Sequence, residues 1–128
     1  MKMPPIFSAA FLLLKKWFLE KVLITEIPKN TAYRINKAVV HPGDSLGRDL
    51  LKWKGVKALA LPITAPWTTQ PEVARFAEDM KPEIAIPIHD GFIKNFFSKR
   101  QNEICGKYFA KRGIHHQPLN EFSESIEA

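Results

Sequence analysis

Apolar residues recur along this chain in short unbroken runs, in alternation and at helical spacing, and these patterns predict its elements. The chain opens on a nearly continuous apolar run, Ile6 to Leu14, followed by Lys15-Lys16-Trp17-Phe18-Leu19. The run is too short for a membrane span, which needs ~20 residues. It has the length of a signal-peptide core, but its positive end is weak and no small-x-small cleavage site follows. Ser8 is placed to cap a helix carrying Phe11, Leu12, Leu14, Lys15, Phe18, Leu19 and Val22. Such a helix has a wide apolar face, and burial against the rest of the chain or a partner is favoured over a membrane surface. Residues 1–26 are therefore set apart as an atypical, helical apolar segment, and residues 27–128 as the domain proper.

Glu26 to Asn30 contains Pro28 and reads as a connector. Thr31-Ala32-Tyr33-Arg34-Ile35 alternates and is rich in strand formers, and Ala38-Val39-Val40 returns after a turn at Asn36-Lys37. That second strand delivers His41-Pro42-Gly43-Asp44-Ser45, where Pro42 ends the ladder and Gly43 lets the backbone turn. Leu46–Gly55 is loop-like, anchored by Leu50, Leu51 and Trp53. Val56–Leu61 and Ile84–Ile88 are short apolar runs of buried-strand type. Between them, Thr69-x-x-Glu72 fits a capping box with Pro71 in the first turn, and Val73, Phe76, Ala77 and Met80 form a core stripe stopped at Pro82. Phe92–Ala110 predicts a second helix with Ile93, Phe96, Phe97, Ile104 and Tyr108 on its apolar face and Gly113 at its end. Ile114–Gln117 and Ser125–Glu127 are expected as terminal edge strands. A helix between two fully apolar strands predicts an α/β fold with helix packed on sheet.

Composition narrows the function classes. With 128 residues, 45% hydrophobic and 25% charged, the chain supports one core and is not compositionally disordered. Its net charge of +6 comes from lysines and arginines that are scattered, with no run longer than two. Neither a nucleic-acid motif nor an aromatic-basic platform accompanies them, so a solvated face outweighs a nucleic-acid surface. The single cysteine, Cys105, excludes a disulfide framework and any zinc site built on cysteine pairs. A lone thiol in a helical pattern, without histidine one turn away, reads as structural and suits a reducing, cytoplasmic compartment.

Two loops carry candidate chemistry. Each follows a strand-like run, and one offers the Asp44 carboxylate, the other the His89 imidazole in Pro87-Ile88-His89-Asp90. Carboxylate and imidazole at neighbouring strand ends suit zinc or a similar metal. Both residues also have ordinary readings, Asp44 as a turn-former bonding its own backbone and His89 as a capping or core histidine, and on residue type alone these are favoured about three to one.

The order of these parts adds to the picture. The His-Pro-Gly-Asp-Ser loop, then Ala58-Leu59-Ala60-Leu61-Pro62-Ile63-Thr64-Ala65-Pro66-Trp67, the helix, and Ile86-Pro87-Ile88-His89-Asp90-Gly91 together resemble the C-terminal half of the metallo-β-lactamase-fold hydrolases. The branch most resembled is the ascorbate-6-phosphate-lactonase-like group, over about residues 27–126. The resemblance implies half of an αββα sandwich, ordered β-hairpin, β-strand, helix, β-strand, helix, terminal strands. It implies zinc or another divalent metal as cofactor, Asp44 as the ligand bridging two metals and His89 as a ligand to one. The activity implied is hydrolysis of an ester, lactone, amide or phosphate in a small-molecule substrate.

The departure from the family is as informative. The His-x-His-x-Asp-His motif that supplies most of its ligands is absent here. His41 shares a loop with Asp44 and is expected to support it rather than bind metal. His115 and His116 are adjacent, so in a strand they point to opposite faces. The expectation is a truncated hydrolase, with a complementing N-terminal half or a homo-oligomer as partner. The competing expectation is a non-enzymatic α/β interaction domain or decayed remnant. Membrane and nucleic acid are not expected partners.

Overall fold

The computed structural model describes residues 29–65, 67–91 and 93–119. The helix expected over residues 8–22 and the strand expected at Ser125–Glu127 lie outside the described residues. A hairpin comes first. Strands β1 (Tyr33–Ile35) and β2 (Val39–His41) pair antiparallel, with Tyr33 opposite His41 and Ile35 opposite Val39. Asn36 and Lys37 both take left-handed backbone, with φ of 48° and 59°. This matches the twist of a tight hairpin, and the Ala38 N–H closes the turn onto the Ile35 carbonyl at 3.0 Å. Because Ile35 pairs with Val39, Ala38 joins the loop, which is one residue longer than the sequence predicts.

From β2 onward every pairing is parallel. Strands β3 (Ala58–Pro62), β4 (Ile84–Ile88) and β5 (His115–His116) follow in spatial order β1-β2-β3-β4-β5. Parallel neighbours need crossovers. These are a 3₁₀ turn at Arg48–Trp53, helix α1 (Gln70–Met80) and helix α2 (Asn95–Ala110). Strand order advances in one direction and such crossovers are right-handed, so all three lie on one face of the sheet. The core reflects this. Val40, Leu59, Leu61, Ile63 and Ala85 pack with Val73, Phe76, Ala77 and Met80 of α1 and with Cys105 and Phe109 of α2. The chain is therefore α/β, with a mixed five-stranded sheet. None of its described helices is long and apolar enough to cross a membrane.

Helix α1 follows its sequence closely. Glu72 reaches back to accept the Thr69 N–H at 2.7 Å, the carboxylate half of the capping box. The four stripe residues Val73, Phe76, Ala77 and Met80 are its buried ones. Lys81 terminates it in left-handed backbone, returning its N–H to the Ala77 carbonyl, and Pro82 prevents continuation.

Helix α2 corrects the expectation. It begins at Asn95, and its buried residues are Gln101, Cys105 and Phe109. Phe96, Phe97 and Ile104, expected on the core face, are 71%, 50% and 58% exposed. The inward face is marked by a polar residue that a hydrophobic count passes over. Gln101 donates to the Ile63 carbonyl at 3.2 Å, and its amide oxygen meets the Thr64 hydroxyl at 3.2 Å. The Ile63 carbonyl also accepts the Gln70 side-chain amide at 2.7 Å, so Gln101 adds a second bond there and ties α2 to the loop after β3. Cys105, which the sequence reads as a half-buried structural thiol, is buried, and desolvation raises its thiol pKa.

His116 lies on the helix side of β5. Its Nε2–H donates to Asn102 Oδ1 at 2.8 Å, while Nδ1 is buried with no hydrogen-bond partner. A second proton would have no acceptor. Burial, and secondarily the neighbouring His115, lower its pKa from the ordinary value. The unfolded chain therefore takes up this proton first. Its contribution to stability is full above about pH 6.5 and is lost as pH falls from there through the folded-state value. Urea unfolding at pH 7 and pH 5 is expected to show this loss, and His116→Gln to reduce it. An unchanged pH slope in the variant would refute the assignment.

Candidate functional site

Parallel pairing of β2, β3 and β4 brings their carboxyl ends to one edge of the sheet, the common location of sites in such sheets. Three loops leave from that edge. The loop after β2 is shaped by Gly43, at φ 66°. Asn30 braces it from outside. Its Nδ2 donates to the Pro42 carbonyl at 2.8 Å, and its Oδ1 accepts the Asp44 N–H at 2.9 Å. His41 Nδ1 accepts the Gly43 N–H at 3.1 Å, so His41 supports the turn, as its position beside Asp44 suggests. Ser45 Oγ accepts the Gly47 N–H at 3.0 Å, which ends the loop.

His89 lies one residue past β4 with φ 67°, a left-handed backbone that is uncommon for a non-glycine residue. This conformation, which costs of order 1–3 kcal/mol, turns the imidazole back over the ends of β3 and β2. His89 Nδ1 lies 2.7 Å from the Thr64 carbonyl oxygen. A carbonyl can only accept, so Nδ1 carries a proton and donates it. The other ring nitrogen, Nε2, then lies 3.3 Å from Asp44 Oδ1. The structure thus brings together the two residues singled out in the sequence, from loops 45 positions apart.

Trp67 covers the pair. Its ring meets the His89 ring edge-on, with centroids 5.9 Å apart, and its indole N–H donates to the Asp44 carbonyl at 3.2 Å. Trp67, Thr64 and Asn30 carry no site signal in the sequence, where Thr64 and Trp67 are only part of the resembled run and Asn30 ends a connector. Thr64 acts through its backbone carbonyl, which no side-chain motif encodes.

The remaining histidines lie elsewhere. His115 and His116 pair with Ile84 and Ala85, the first residues of β4. His89 follows its last residue, about 13 Å further on at strand rise. They point to opposite faces as expected, and His115 Nε2 is within 2.8 Å of Gln117 Oε1.

A neutral His89 with its proton on Nδ1 would aim a lone pair at the Asp44 carboxylate. Two acceptors do not hold each other. Either Nε2 is also protonated and the contact is an ion pair, or a cation lies between. Both side chains are partly solvated, so an ion pair there contributes at most about 1 kcal/mol. Two ligands bound to zinc at ~2.1 Å in tetrahedral geometry stand about 3.4 Å apart, so the observed separation also suits one edge of a metal's coordination shell. Among the described residues no group of three or more His, Cys, Asp or Glu side chains is arranged to hold a metal. Compared with models of known protein families, the chain matches none, and no curated protein is similar to it at a significant level.

Proposed function

We propose that Asp44 and His89 are two ligands of a divalent-metal site of hydrolytic type, and that the chain corresponds to the C-terminal half of a metallo-β-lactamase-like αββα sandwich. The observation that carries this is the Nδ1–H bond from His89 to the Thr64 carbonyl. Metal-binding histidines commonly donate their second ring N–H in this way, which fixes the tautomer and aims the other nitrogen at the metal. The carboxyl-edge position and the order of the loops support the same reading. Zinc, iron or manganese suits a carboxylate and an imidazole. A metal there would polarise the scissile bond of an ester, lactone, amide or phosphate and lower the pKa of water towards ~7. Asp44 and His89 would hold it, Asn30 and Trp67 would fix the Asp44 loop, and Thr64 would orient the imidazole.

Two protein ligands are fewer than zinc sites use, which is three or four. The remaining ligands would come from residues outside this chain, supplied by a complementing half. Alone, the chain is expected to bind zinc weakly and to turn over little substrate. Titration calorimetry with zinc tests the reading. Asp44→Ala and His89→Ala should each weaken binding at least 10-fold, in line with losses seen when ligand-shell groups are removed. Equal zinc affinity in the wild-type chain and both variants would sink it.

A second reading follows from Trp67, which closes over the pair as a structural brace would. Here His89 is an imidazolium paired with Asp44, the domain is non-enzymatic, and the pair only ties the loops together. The two readings part in the same titration, because a brace predicts lowered stability in His89→Ala with no change in metal binding.

A further inference from the structure

The five-stranded sheet carries its described helices on one face only. The other face is made by the alternate strand positions. Strand register aligns Val39, Ala58 and Ile84, and one step further along β3 and β4 aligns Ala60 with Ile86 and Pro62 with Ile88. This surface has no charged side chain across its three central strands. Its centre is nevertheless buried. Ala58 is 0% and Ala60 6% exposed, although neither belongs to the core formed with α1 and α2. Ile84, Ile86 and Ile88 around them are half-buried. At the hairpin edge of the same face, Tyr33 and Ile35 are exposed.

We infer that this face is the docking surface for the chain's own apolar segment, Ile6–Val22. Three observations single out that occupant. The first is composition. The segment carries Phe11, Leu12, Leu14, Phe18, Leu19 and Val22 at helical spacing, whereas residues 120–128 hold three glutamates and only two large apolar side chains. The second is dimension. A helix over the 15 residues Ser8–Val22 is about 22 Å long at 1.5 Å per residue. Five strands at ~4.8 Å spacing put the outer pair ~19 Å apart. The third is where the segment attaches. The chain reaches the sheet at Asn30, bonded to the loop after β2. Residues 23–28 can span up to ~20 Å, enough to bring Val22 onto the face from that edge.

A second copy of the chain is the chief competitor. Attachment through a short connector gives an effective concentration in the millimolar range, which favours the tethered segment at micromolar protein. The inference does not rest on the metal reading, since it uses neither Asp44 nor His89.

The full chain with a photo-crosslinking benzoylphenylalanine at position 11, and a second version with it at position 18, tests this. Mass spectrometry of the irradiated monomer band should place crosslinks within one chain, on Ala58, Ala60, Ile84, Ile86 or Ile88. Sedimentation at micromolar concentration should give a monomer. Crosslinks joining two chains, with a dimer in sedimentation, would overturn the inference in favour of a second copy. Crosslinks to Phe96, Phe97 or Ile104 on the outer side of α2 would also overturn it.

Discussion

Phe109→Ala is expected to destabilise the fold by about 3–5 kcal/mol, the usual cost of truncating a buried phenylalanine. Phe109 is 1% exposed and among the largest fully buried side chains. Its ring joins α2 to the sheet by meeting His116 of β5 at 5.8 Å between centroids, and it meets its helix neighbour Tyr108 edge-on at 5.7 Å. Its backbone carbonyl also accepts the Ile114 N–H at 3.1 Å, so the chain turns into β5 directly beneath the ring. Alanine would leave a cavity with rigid strand on one side and the α1–α2 contact on the other. That contact is fixed by Glu78, which accepts the Tyr108 hydroxyl at 2.6 Å and pairs with Arg112. Collapse to fill the space is therefore limited. The loss is a large share of a typical stability of 5–15 kcal/mol. Urea unfolding should show a lower midpoint at similar slope. Phe96→Ala, on the exposed side of the same helix, is expected to stay within about 0.5 kcal/mol of the parent. If the two variants exchanged behaviour, the core face of α2 would be the one its hydrophobic residues suggest rather than the one described.

The second large effect is expected at Gly43. Alanine there would need a left-handed backbone, which costs roughly 1–2 kcal/mol for an L-residue. Its Cβ would also stand 2.2 Å from Asn30 Oδ1 and 2.9 Å from the Thr31 carbonyl oxygen. The Asn30 side chain can swing away, but it would then release both the Pro42 carbonyl and the Asp44 N–H. Each such hydrogen bond contributes about 0.5–1.5 kcal/mol. The Thr31 carbonyl belongs to the backbone and cannot move as readily. A total of about 2–5 kcal/mol follows, with the Asp44 loop displaced. Gly43→Ala should therefore lower stability and, under the metal reading, weaken zinc binding as much as His89→Ala does. A variant as stable as the parent in urea would show that the loop is not held as described.

The elements themselves were largely legible in the sequence. A capping box, a four-residue apolar stripe and a proline stop define α1 by short-range rules, and each operates within one or two helical turns. The runs around Leu59 and Ile86 were legible as strands because both their faces are apolar. The face of α2 was not, because Gln101 points inward to bond Ile63 and Thr64, groups that the loop after β3 supplies from 37 or more positions away. A hydrophobic pattern has no means of registering such a partner, so it assigned the exposed Phe96 and Phe97 to the core.

The candidate site divides in the same manner. The sequence by itself determined that Asp44 and His89 follow strand-like runs, that Gly43 frees the turn before Asp44, and that no cysteine or His-x-His motif is available beside them. These are matters of residue type and local backbone freedom. Only the tertiary structure decided that the two residues meet, because meeting depends on parallel register, with Val40 beside Leu59 and Pro62 beside Ile88. It also decided the orientation of the imidazole. That follows from the left-handed backbone at His89 and from the Thr64 carbonyl, a main-chain group every residue carries and whose position only the assembled sheet specifies.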